Sequence, residues 1–347
     1  TTVTPNDLLE WERSNQTDLG LDFGFFGNSL QFTADYFYKR TNGMLIEMPV
    51  PTYLGESKPW GNVGSMSNSG VELDLNYRYS IGDFNFSVGA NAAYIKTLLI
   101  NAGNESGILD RGSVHQMGTI IRGENGQPFP YFYGYQTDGV FQNWDEVYAY
   151  TNAEGGLIQP DAQPGDFRYK DLDGNGSITA EGDRANLGKC VPSWTYGINA
   201  SIDWKGIDFS MVWQGVAGNK IFDATRRTDI PTMNQPKYVL NRWTGEGSTN
   251  EYPRFTVTDP NQNWSKASDF FIKDASYFRL KNVTLGYTLP AKWTNKVFVK
   301  KLRVYVACEN ALTFTKYDGF DPEIADYVDR GIYPQSRTVQ FGASITF

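Results

Sequence analysis

The chain has 347 residues, a formal net charge of -8 and a mean hydropathy of -0.45, and 15% of its residues are aromatic. Its 35 glycines, 21 tyrosines and 22 phenylalanines favour strands and tight turns over helices. The acidic balance argues against nucleic acid as a partner, because neutralising phosphates requires a basic surface. No apolar run approaches the roughly 20 residues that a membrane helix needs.

The amino-terminal segment, Thr1 to Pro5, lacks the charged and apolar pattern of a signal peptide. Either a signal has been removed or the gene product begins upstream. Beyond this segment, apolar and polar residues alternate with a period of two, which predicts strands with one apolar face. The first two predicted hairpins pair residues 18–25 with 30–38, and 71–79 with 84–94.

Two weaker strands are predicted near residues 115–122 and 128–141, before a third hairpin of residues 196–204 and 207–213. Strands at 283–289 and 302–308 follow, and the last covers residues 339–347, so that the count is eleven. Aromatic residues gather toward strand ends, as membrane-interface girdles require. They include Tyr77, Tyr79, Trp204, Trp213 and Tyr287.

The connections between these strands alternate in length. Short turns are predicted at residues 27–29, 81–83, 124–127, 205–206 and 290–299, and long loops at roughly 49–68, 97–114, 142–193, 217–275 and 315–335. This asymmetry is typical of outer-membrane barrels, whose short turns are periplasmic. The predicted fold class is therefore all-β, an antiparallel transmembrane β-barrel. The alternative is a soluble β-sandwich or propeller, which would not show this length asymmetry.

An odd number of antiparallel strands cannot close with the even parity expected of bacterial barrels. Open edges in lipid would leave backbone groups unpaired at several kcal/mol each. The sequence therefore predicts that this chain is one part of a barrel whose other part is cut away or lies on a separate polypeptide. Residues 1–16 are then expected in a long outward loop.

The segment Asp171-Leu-Asp173-Gly-Asn175-Gly-Ser177 places oxygen ligands and a glycine as in a calcium loop. The twelfth position is Gly182, so the closing carboxylate is displaced by one residue, and Asp183 is the candidate. The hypothesis is a structural calcium site that cross-links a long loop with few apolar contacts of its own. The alternative is a metal-free polar turn. No other cofactor is expected.

Four loop aromatics are candidates for stacking on a sugar or peptide: Trp144, Trp243, Tyr252 and Trp264. Internal packing of the loops explains them equally well. Alternation places four charged residues toward the barrel interior: Glu72, Asp74, Arg78 and Arg303. There they form a polar wall that faces either water or an internal domain.

No enzymatic activity is expected from this chain. Paired carboxylates such as Asp321 and Glu323 suggest glycoside hydrolysis, but two acids that lie two residues apart on an extended segment define no catalytic geometry. His115 is the single histidine, and nothing near it supports a triad. Cys190 and Cys308 define neither a disulfide framework nor a metal site, and Cys308 is expected on the apolar face of a strand.

Several segments, in order, resemble the SusC/RagA-like TonB-dependent transporters of Bacteroidetes. Early segments are Leu9-Glu-Trp-Glu12, Leu19-Gly-Leu-Asp-Phe23, Asp35-Tyr-Phe-Tyr-Lys-Arg-Thr41, Met44-Leu45 and Asn68-Ser-Gly-Val-Glu-Leu73. Later ones are Gly165-Asp166, Tyr169-Lys-Asp-Leu-Asp-Gly-Asn-Gly176, Arg279-Leu-Lys-Asn-Val-Thr-Leu-Gly-Tyr287, Glu309-Asn310, Thr313-Phe-Thr-Lys-Tyr317 and Gly319-Phe-Asp-Pro-Glu-Ile324.

The resemblance implies a barrel of about 22 strands in the outer membrane, with an amino-terminal plug domain, a SusD-like surface lipoprotein and energy from the TonB complex. Residues 1–347 would be the carboxy-terminal half, with the plug and the first half supplied by the same or a separate polypeptide. The expected function is active import of oligomeric nutrients, either oligosaccharide or oligopeptide, with Phe347 as the signal for barrel assembly. The alternatives are a passive outer-membrane porin and a soluble carbohydrate-binding β protein.

Overall fold

The computed structural model describes residues 6–48, 59–227 and 233–347. Its strands are β1 Arg13–Phe25, β2 Leu30–Glu47, β3 Trp60–Ile81, β4 Phe84–Asn101, β5 Ile108–Ser113, β6 Thr119–Glu124, β7 Tyr131–Tyr135, β8 Thr137–Val140, β9 Phe167–Tyr169, β10 Arg184–Lys189, β11 Trp194–Trp204, β12 Ile207–Ala217, β13 Lys220–Asp223, β14 Ile272–Asp274, β15 Tyr277–Thr288, β16 Lys301–Thr315, β17 Val328–Asp329 and β18 Thr338–Thr346.

The helical elements are short. They are α1 Trp144–Ala149, α2 Ala291–Thr294, and three 3-10 turns at Lys237–Asn241, Asp269–Phe271 and Asn295–Val297. Among the described residues, no helix is long and apolar enough to cross a membrane.

Nine strands form one antiparallel sheet in the order β1-β2-β3-β4-β11-β12-β15-β16-β18. The first and last of these lie at the two edges and do not pair with each other, so the described part of the chain forms an open sheet. The prediction of eleven strands in this wall was wrong, whereas the odd parity is confirmed. β1 begins at Arg13, so residues 13–16 belong to the wall and not to a loop; residues 1–5 lie outside the described residues.

The two weaker predicted strands belong to other sheets. Residues 119–124 and 131–135 form β6 and β7 of a four-stranded sheet ordered β10-β7-β6-β5, and residues 137–140 form β8, which pairs with β9. All five residues of β7 are buried, so this strand is covered on both faces instead of having one face toward lipid. The predicted turn at 124–127 is wrong as a short-end turn, because Gly126 donates to the carbonyl of Leu99 at the end of β4.

The remaining connections alternate in length as predicted. Residues 26–29, 82–83, 205–206 and 289–300 join strands at one end of the nine-stranded sheet, which we call the short-turn end. Residues 48–59, 102–193, 218–276 and 316–337 join them at the other, the long-loop end, and residues 49–58 and 228–232 of these lie outside the description.

One of the two-residue turns has a backbone that few residues adopt. The β11–β12 hairpin closes through Lys205 and Gly206 alone, with Trp204 opposite Ile207, and both turn residues have positive φ, at 48° and 89°. That is the requirement of a type I′ turn, in which glycine carries no steric penalty.

The predicted apolar positions meet in register across all nine strands. One row joins Phe23, Phe32, Leu75, Ala90, Ile198 and Trp213, and a second joins Phe209, Leu285, Val306 and Phe341. Many of these side chains are exposed, including Leu19 at 69% and Phe341 at 83%. This surface, the apolar face, is continuous because a period of two keeps each strand's apolar set on one side.

Aromatic side chains border the apolar face at both ends. Trp204, Tyr79 and Tyr287 lie near the short-turn end, and Trp194, Tyr94, Trp213, Phe278 and Phe314 near the long-loop end, with Trp213 stacked on Phe278 at 4.8 Å. Trp194 and Trp204 bound β11, and their separation of about 33 Å along the strand becomes about 25 Å after the tilt of barrel strands. The two bands therefore match the height of a membrane-spanning wall.

The hydrophobic core lies in the long loops. Residues from three connections, the loop region (102–193, 218–227, 233–276 and 316–337), pack together around Phe132, Phe222, Trp264, Phe271 and Val328, each 4% exposed or less. The expectation that these loops have few apolar contacts was wrong. Local alternation did not indicate this core, because its members come from segments far apart in sequence.

Candidate functional site

The face of the sheet opposite the apolar face is polar and carries the charges expected in a barrel interior. Glu72 and Arg78 are exposed and Asp74 is half-buried on β3. Arg303 of β16 forms two hydrogen bonds with the carboxylate of Asp208 across Gly286, where a Cβ would meet both side chains. The sequence placed Glu72, Asp74, Arg78 and Arg303 correctly on one face but did not indicate that Arg303 has a partner.

A buried ionic cluster joins this polar face to the last long loop. Arg279 of β15 donates from Nη2 to Asp321 at 2.7 Å and from Nη1 to Glu323 at 3.0 Å, and Lys281 donates to Glu323 at 2.9 Å. The side chains of Arg279 and Asp321 are only 4% and 5% exposed. β15 has an extra residue at Lys281, a bulge that directs this lysine toward Glu323.

The acid pair Asp321 and Glu323 is therefore a pair of counter-ions. Burial alone would raise the pKa of Asp321, but hydrogen bonds from Arg279 and from the backbone of Glu323 and Gln335 outweigh it, so the pKa lies below its ordinary value. A carboxylate held ionised in this way cannot act as the protonated acid of a glycosidase. Arg279, Asp321 and Gln335 line a cavity of about 290 Å³ together with Asn310 and Arg337.

The four candidate aromatics have different environments. Trp264 is 2% exposed, donates its indole N–H to the carbonyl of Arg254 and packs edge-on against Phe270, so it belongs to the loop core and offers no surface to a ligand. Trp243 and Tyr252 are half-buried. Trp144 is 48% exposed and stacks on Tyr148 at 5.5 Å. Trp144 is the one of the four whose ring is open to solvent.

The calcium-like loop brings three of its predicted ligands together. Carboxylate oxygens of Asp171, Asp173 and Asp183 lie within 4.8 Å of one another, so the displacement of the last acid by one residue does not remove it from the cluster. Asp183 is fully buried and accepts from the backbone of Leu172 and Thr179, both at 2.6 Å.

The other two predicted ligands are engaged differently. Asn175 Oδ1 accepts from the backbone and hydroxyl of Ser177, at 2.9 and 2.7 Å. The carboxylates of Asp171 and Asp173 likewise accept local backbone N–H groups, from Gly174 and Gly176 and from Asn175 respectively. The oxygens are thus the hard donors that Ca²⁺ prefers, in a turn that its own hydrogen bonds already shape.

A buried polar network around Asp166 was not found from the sequence. Asp166 is fully buried and accepts from Arg254 Nε at 2.5 Å, from Asn263 Nδ2 at 2.7 Å and from the backbone of Gln163 at 2.9 Å. The network joins residues about ninety positions apart, and only the family-like Gly165-Asp166 segment gave any signal of it.

The remaining candidates have structural settings. Cys308 pairs with Val339 in the strand register of the apolar face, as predicted, and Cys190 is buried in the loop core, where burial raises the pKa of its thiol. A ring nitrogen of His115 lies 3.2 Å from the carbonyl oxygen of Ala224. Phe347 follows β18 directly and is 76% exposed.

Comparison with known proteins finds relatives that match nearly the whole chain. Residues 1–311 match the family model described as TonB dependent receptor-like, beta-barrel. The TonB-dependent receptor P3 of Formosa agariphila is 32% identical over 362 residues, which cover 99% of this chain and 35% of that protein. The TonB-dependent receptor SusC of Bacteroides thetaiotaomicron is 25% identical over 99% of this chain and 32% of its own length.

Solved structures agree with the family match. The structure of the RagAB peptide transporter superposes with a TM-score of 0.78 and 26% identity, covering 99% of this chain and 36% of that one. The open-open state of the RagAB peptide importer gives a TM-score of 0.77 over all of this chain. The chain therefore spans about a third of the length of the relatives that it matches.

Proposed function

The chain belongs to the TonB-dependent receptor-like β-barrel family of the outer membrane, and from that premise we propose that it supplies the carboxy-terminal half of the wall of an active importer. The importer takes up oligomeric nutrients with energy from TonB. The observation that carries the proposal is the nine-stranded open sheet, whose apolar face is continuous and whose long loops pack together at one end.

The proposed receptor has further parts. A preceding segment or a separate polypeptide supplies the plug domain and the rest of a barrel of about 22 strands, which covers the free edges of β1 and β18. A SusD-like lipoprotein caps the loop region. The cargo is an oligopeptide or an oligosaccharide; the similar RagAB is a peptide transporter, which favours testing peptides first.

The test is uptake by cells that carry the complete receptor as their only route for a labelled oligomer. Import should stop when the TonB complex is deleted and when the partner lipoprotein is removed. Uptake that continues without TonB would instead identify a passive porin. A protein that stays monodisperse without detergent would support the soluble carbohydrate-binding alternative and contradict the barrel.

A structural Ca²⁺ ion in the loop of Asp171, Asp173 and Asp183 is the second part of the proposal. What supports it is the convergence of three carboxylates in the loop region; Asn175 and Ser177 complete the motif. Ca²⁺ would neutralise these acids and stiffen the turn. We expect it to slow proteolysis between residues 170 and 184, and EGTA to reverse the effect.

Two substitutions distinguish binding of Ca²⁺ from a general effect of negative charge in this segment. Asp173→Asn should abolish the protection by Ca²⁺, whereas Glu181→Gln, which removes an exposed neighbouring carboxylate outside the cluster, should leave it unchanged. Equal proteolysis with Ca²⁺ and with EGTA in the unmodified receptor would show a metal-free turn.

Phe347 has a proposed role in the assembly of the barrel. The exposed terminal aromatic follows Phe341 and Ile345 on the apolar face, and we assign it to recognition by the barrel-assembly machinery. Phe347→Ala should lower the amount of receptor in the outer membrane several-fold. Phe26→Ala, which removes an exposed aromatic from the first hairpin turn, should not.

A further inference from the structure

The longest connection at the short-turn end differs from the other three in composition. Residues 289–300 contain three lysines, Lys292, Lys296 and Lys300, and Lys301 begins β16 directly after them; none of residues 289–301 is an aspartate or glutamate. All four lysines are exposed. The neighbouring turns at residues 82–83 and 205–206 contribute only one further lysine, Lys205. The connection is therefore a concentrated positive charge at the periplasmic rim of the wall.

The same connection exposes large apolar side chains. Trp293 is 58% exposed, Val297 66% and Phe298 90%. The last of these has a left-handed backbone, with φ at 62°, which is uncommon for a bulky residue. Lysines and apolar side chains interleave over a single helical turn and a 3-10 turn. This is the composition of segments that lie in a membrane interface.

An apolar groove lies on the apolar face, near the short-turn end of the strands that this connection joins. It has a volume of about 540 Å³ and is lined by Ile207, Leu285, Tyr287, Val304, Val306 and Phe341. These residues come from β15 and β16, which the connection joins, and from β12 and β18, which pair with them on either side. The groove offers a polar ligand almost no hydrogen-bond partner, so such a ligand would lose its hydrogen bonds to water on binding. A hydrocarbon chain makes no hydrogen bonds and would lose none.

Charge is segregated between the two faces at this rim. On the polar face, Asp203 lies opposite Asp208, and Asp208 is bound to Arg303. By alternation these acids point away from the groove. Lys301, at the start of β16, precedes Val304 of the groove by three residues, or about 10 Å of strand. Arg303 and Asp208 are next to lining residues in the sequence, but alternation places them on the polar face, where they pair with each other.

We propose that this part of the outer wall binds an anionic phospholipid of the periplasmic leaflet, with an acyl chain in the groove and its phosphate at Lys292, Lys296 and Lys300. The interfacial region of a leaflet is about 5–8 Å thick. A strand that leaves the headgroups therefore reaches hydrocarbon within two or three residues, so a groove that begins at Val304, four residues after Lys300, lies at the depth of the acyl chains. Lysine ammonium groups are suitable partners for a lipid phosphate.

Charge distinguishes a lipid from a protein partner on this surface. A docking protein would have to be both acidic and apolar, and would have to displace lipid from the groove. A phospholipid supplies both properties in one molecule and is already present around the wall. The observations therefore favour lipid, and a protein partner becomes one outcome of the test.

The test is native mass spectrometry of the complete receptor complex, purified in detergent and supplied with phosphatidylglycerol or phosphatidylcholine at equal concentration. We expect at least about fivefold higher occupancy by phosphatidylglycerol, falling as salt is raised. In Lys292→Gln/Lys296→Gln/Lys300→Gln the two occupancies should become equal. Val304→Phe should lower occupancy by both lipids, because the added ring fills the groove.

A matched control removes the same charge elsewhere. Lys170→Gln/Lys237→Gln/Lys316→Gln takes three exposed lysines from the loop region and should keep the preference for phosphatidylglycerol. Heat-modifiable migration on gels checks that each variant is folded. Equal occupancy by the two lipids in the unmodified receptor, or an unchanged preference in the first triple variant, would overturn the proposal. Loss of a co-purifying polypeptide from that variant with its lipid preference intact would identify a protein partner and also overturn it.

Discussion

At the scale of single residues, burial separates side chains that look alike in the sequence. Trp144 and Trp264 both lie in long loops rich in polar residues, yet one is 48% exposed and the other 2%. The difference arises because Trp264 packs against Phe270 and Phe255, which come from elsewhere in the same connection. Residue type in a loop therefore predicts neither ligand contact nor packing.

Replacing these tryptophans should give opposite results. Trp264→Ala removes a ring from a closely packed core and should destabilise the loop region by about 3–5 kcal/mol, seen as faster proteolysis within the loop region. Trp144→Ala should change stability by less than about 0.5 kcal/mol. If the two variants are cleaved equally fast, the loop core is not as the structure describes it.

A buried carboxyl makes the stability of the loop region depend on pH. Burial raises the pKa of Asp223, the hydrogen bonds from Thr225 oppose this, and Asp329 beside it in the β13–β17 pair raises it further. A raised carboxyl pKa means that the folded state binds the proton more tightly than the unfolded state. This contribution to stability therefore increases as pH falls from neutral through the raised pKa toward about 3.9.

Asp223→Asn removes the charge but keeps the oxygen that accepts from Thr225. We expect the variant to be more resistant to proteolysis than the unmodified receptor at pH 7.5, with the difference shrinking at pH 5. Asp326→Asn, at an exposed position in the same loop region, is the control. A variant that is less resistant at pH 7.5 would mean that the ionised carboxylate is stabilising.

At the scale of elements, ion pairs attach a loop to the wall. Arg279 and Lys281 come from a strand and Asp321 and Glu323 from the last long loop, so the cluster joins elements about forty residues apart. Breaking a buried pair costs more than the pair contributes, because one charge is left without its partner.

The cost should appear in a double-mutant cycle. Arg279→Met should destabilise the attachment of residues 316–337 by about 3–5 kcal/mol, and Asp321→Asn together with Arg279→Met should cost less than the sum of the single changes. Cleavage within residues 316–337 is the measurement. Arg330→Gln, which breaks an exposed pair with Asp326, should cost about 0–1 kcal/mol. Additive single effects would show that Arg279 and Asp321 are not coupled.

At the scale of the whole molecule, the free edges of β1 and β18 determine what the wall needs. Each edge strand has a row of backbone N–H and C=O groups without a partner in the described sheet. In hydrocarbon every such group costs several kcal/mol, so the sheet is stable in a membrane only when further strands cover both edges.

Expression of residues 1–347 by themselves should therefore yield aggregated or degraded protein without heat-modifiable migration. Co-expression with the remaining part of the receptor should restore a compact, heat-modifiable species in the outer membrane. A compact barrel formed by residues 1–347 in the absence of that part would contradict the open sheet.

The sequence by itself determined much of the wall: which residues lie on its apolar face, where four of its hairpins turn and which end has the long loops, although it predicted eleven strands where the described sheet has nine. These properties are local, since alternation with a period of two and turn composition act over a few residues. The resemblance to a family then indicated the membrane and the class of protein.

Only the tertiary structure decided the rest. In the structure, residues 119–140 lie outside the wall and Trp264 is buried. Arg279 is hydrogen-bonded to Asp321, and Asp166 to partners about ninety residues away. Asp183 lies close to Asp171 and Asp173. Most of these features depend on contacts between segments tens of residues apart. No local pattern encodes such contacts, because burial and charge pairing are properties of the packed chain and not of any one segment.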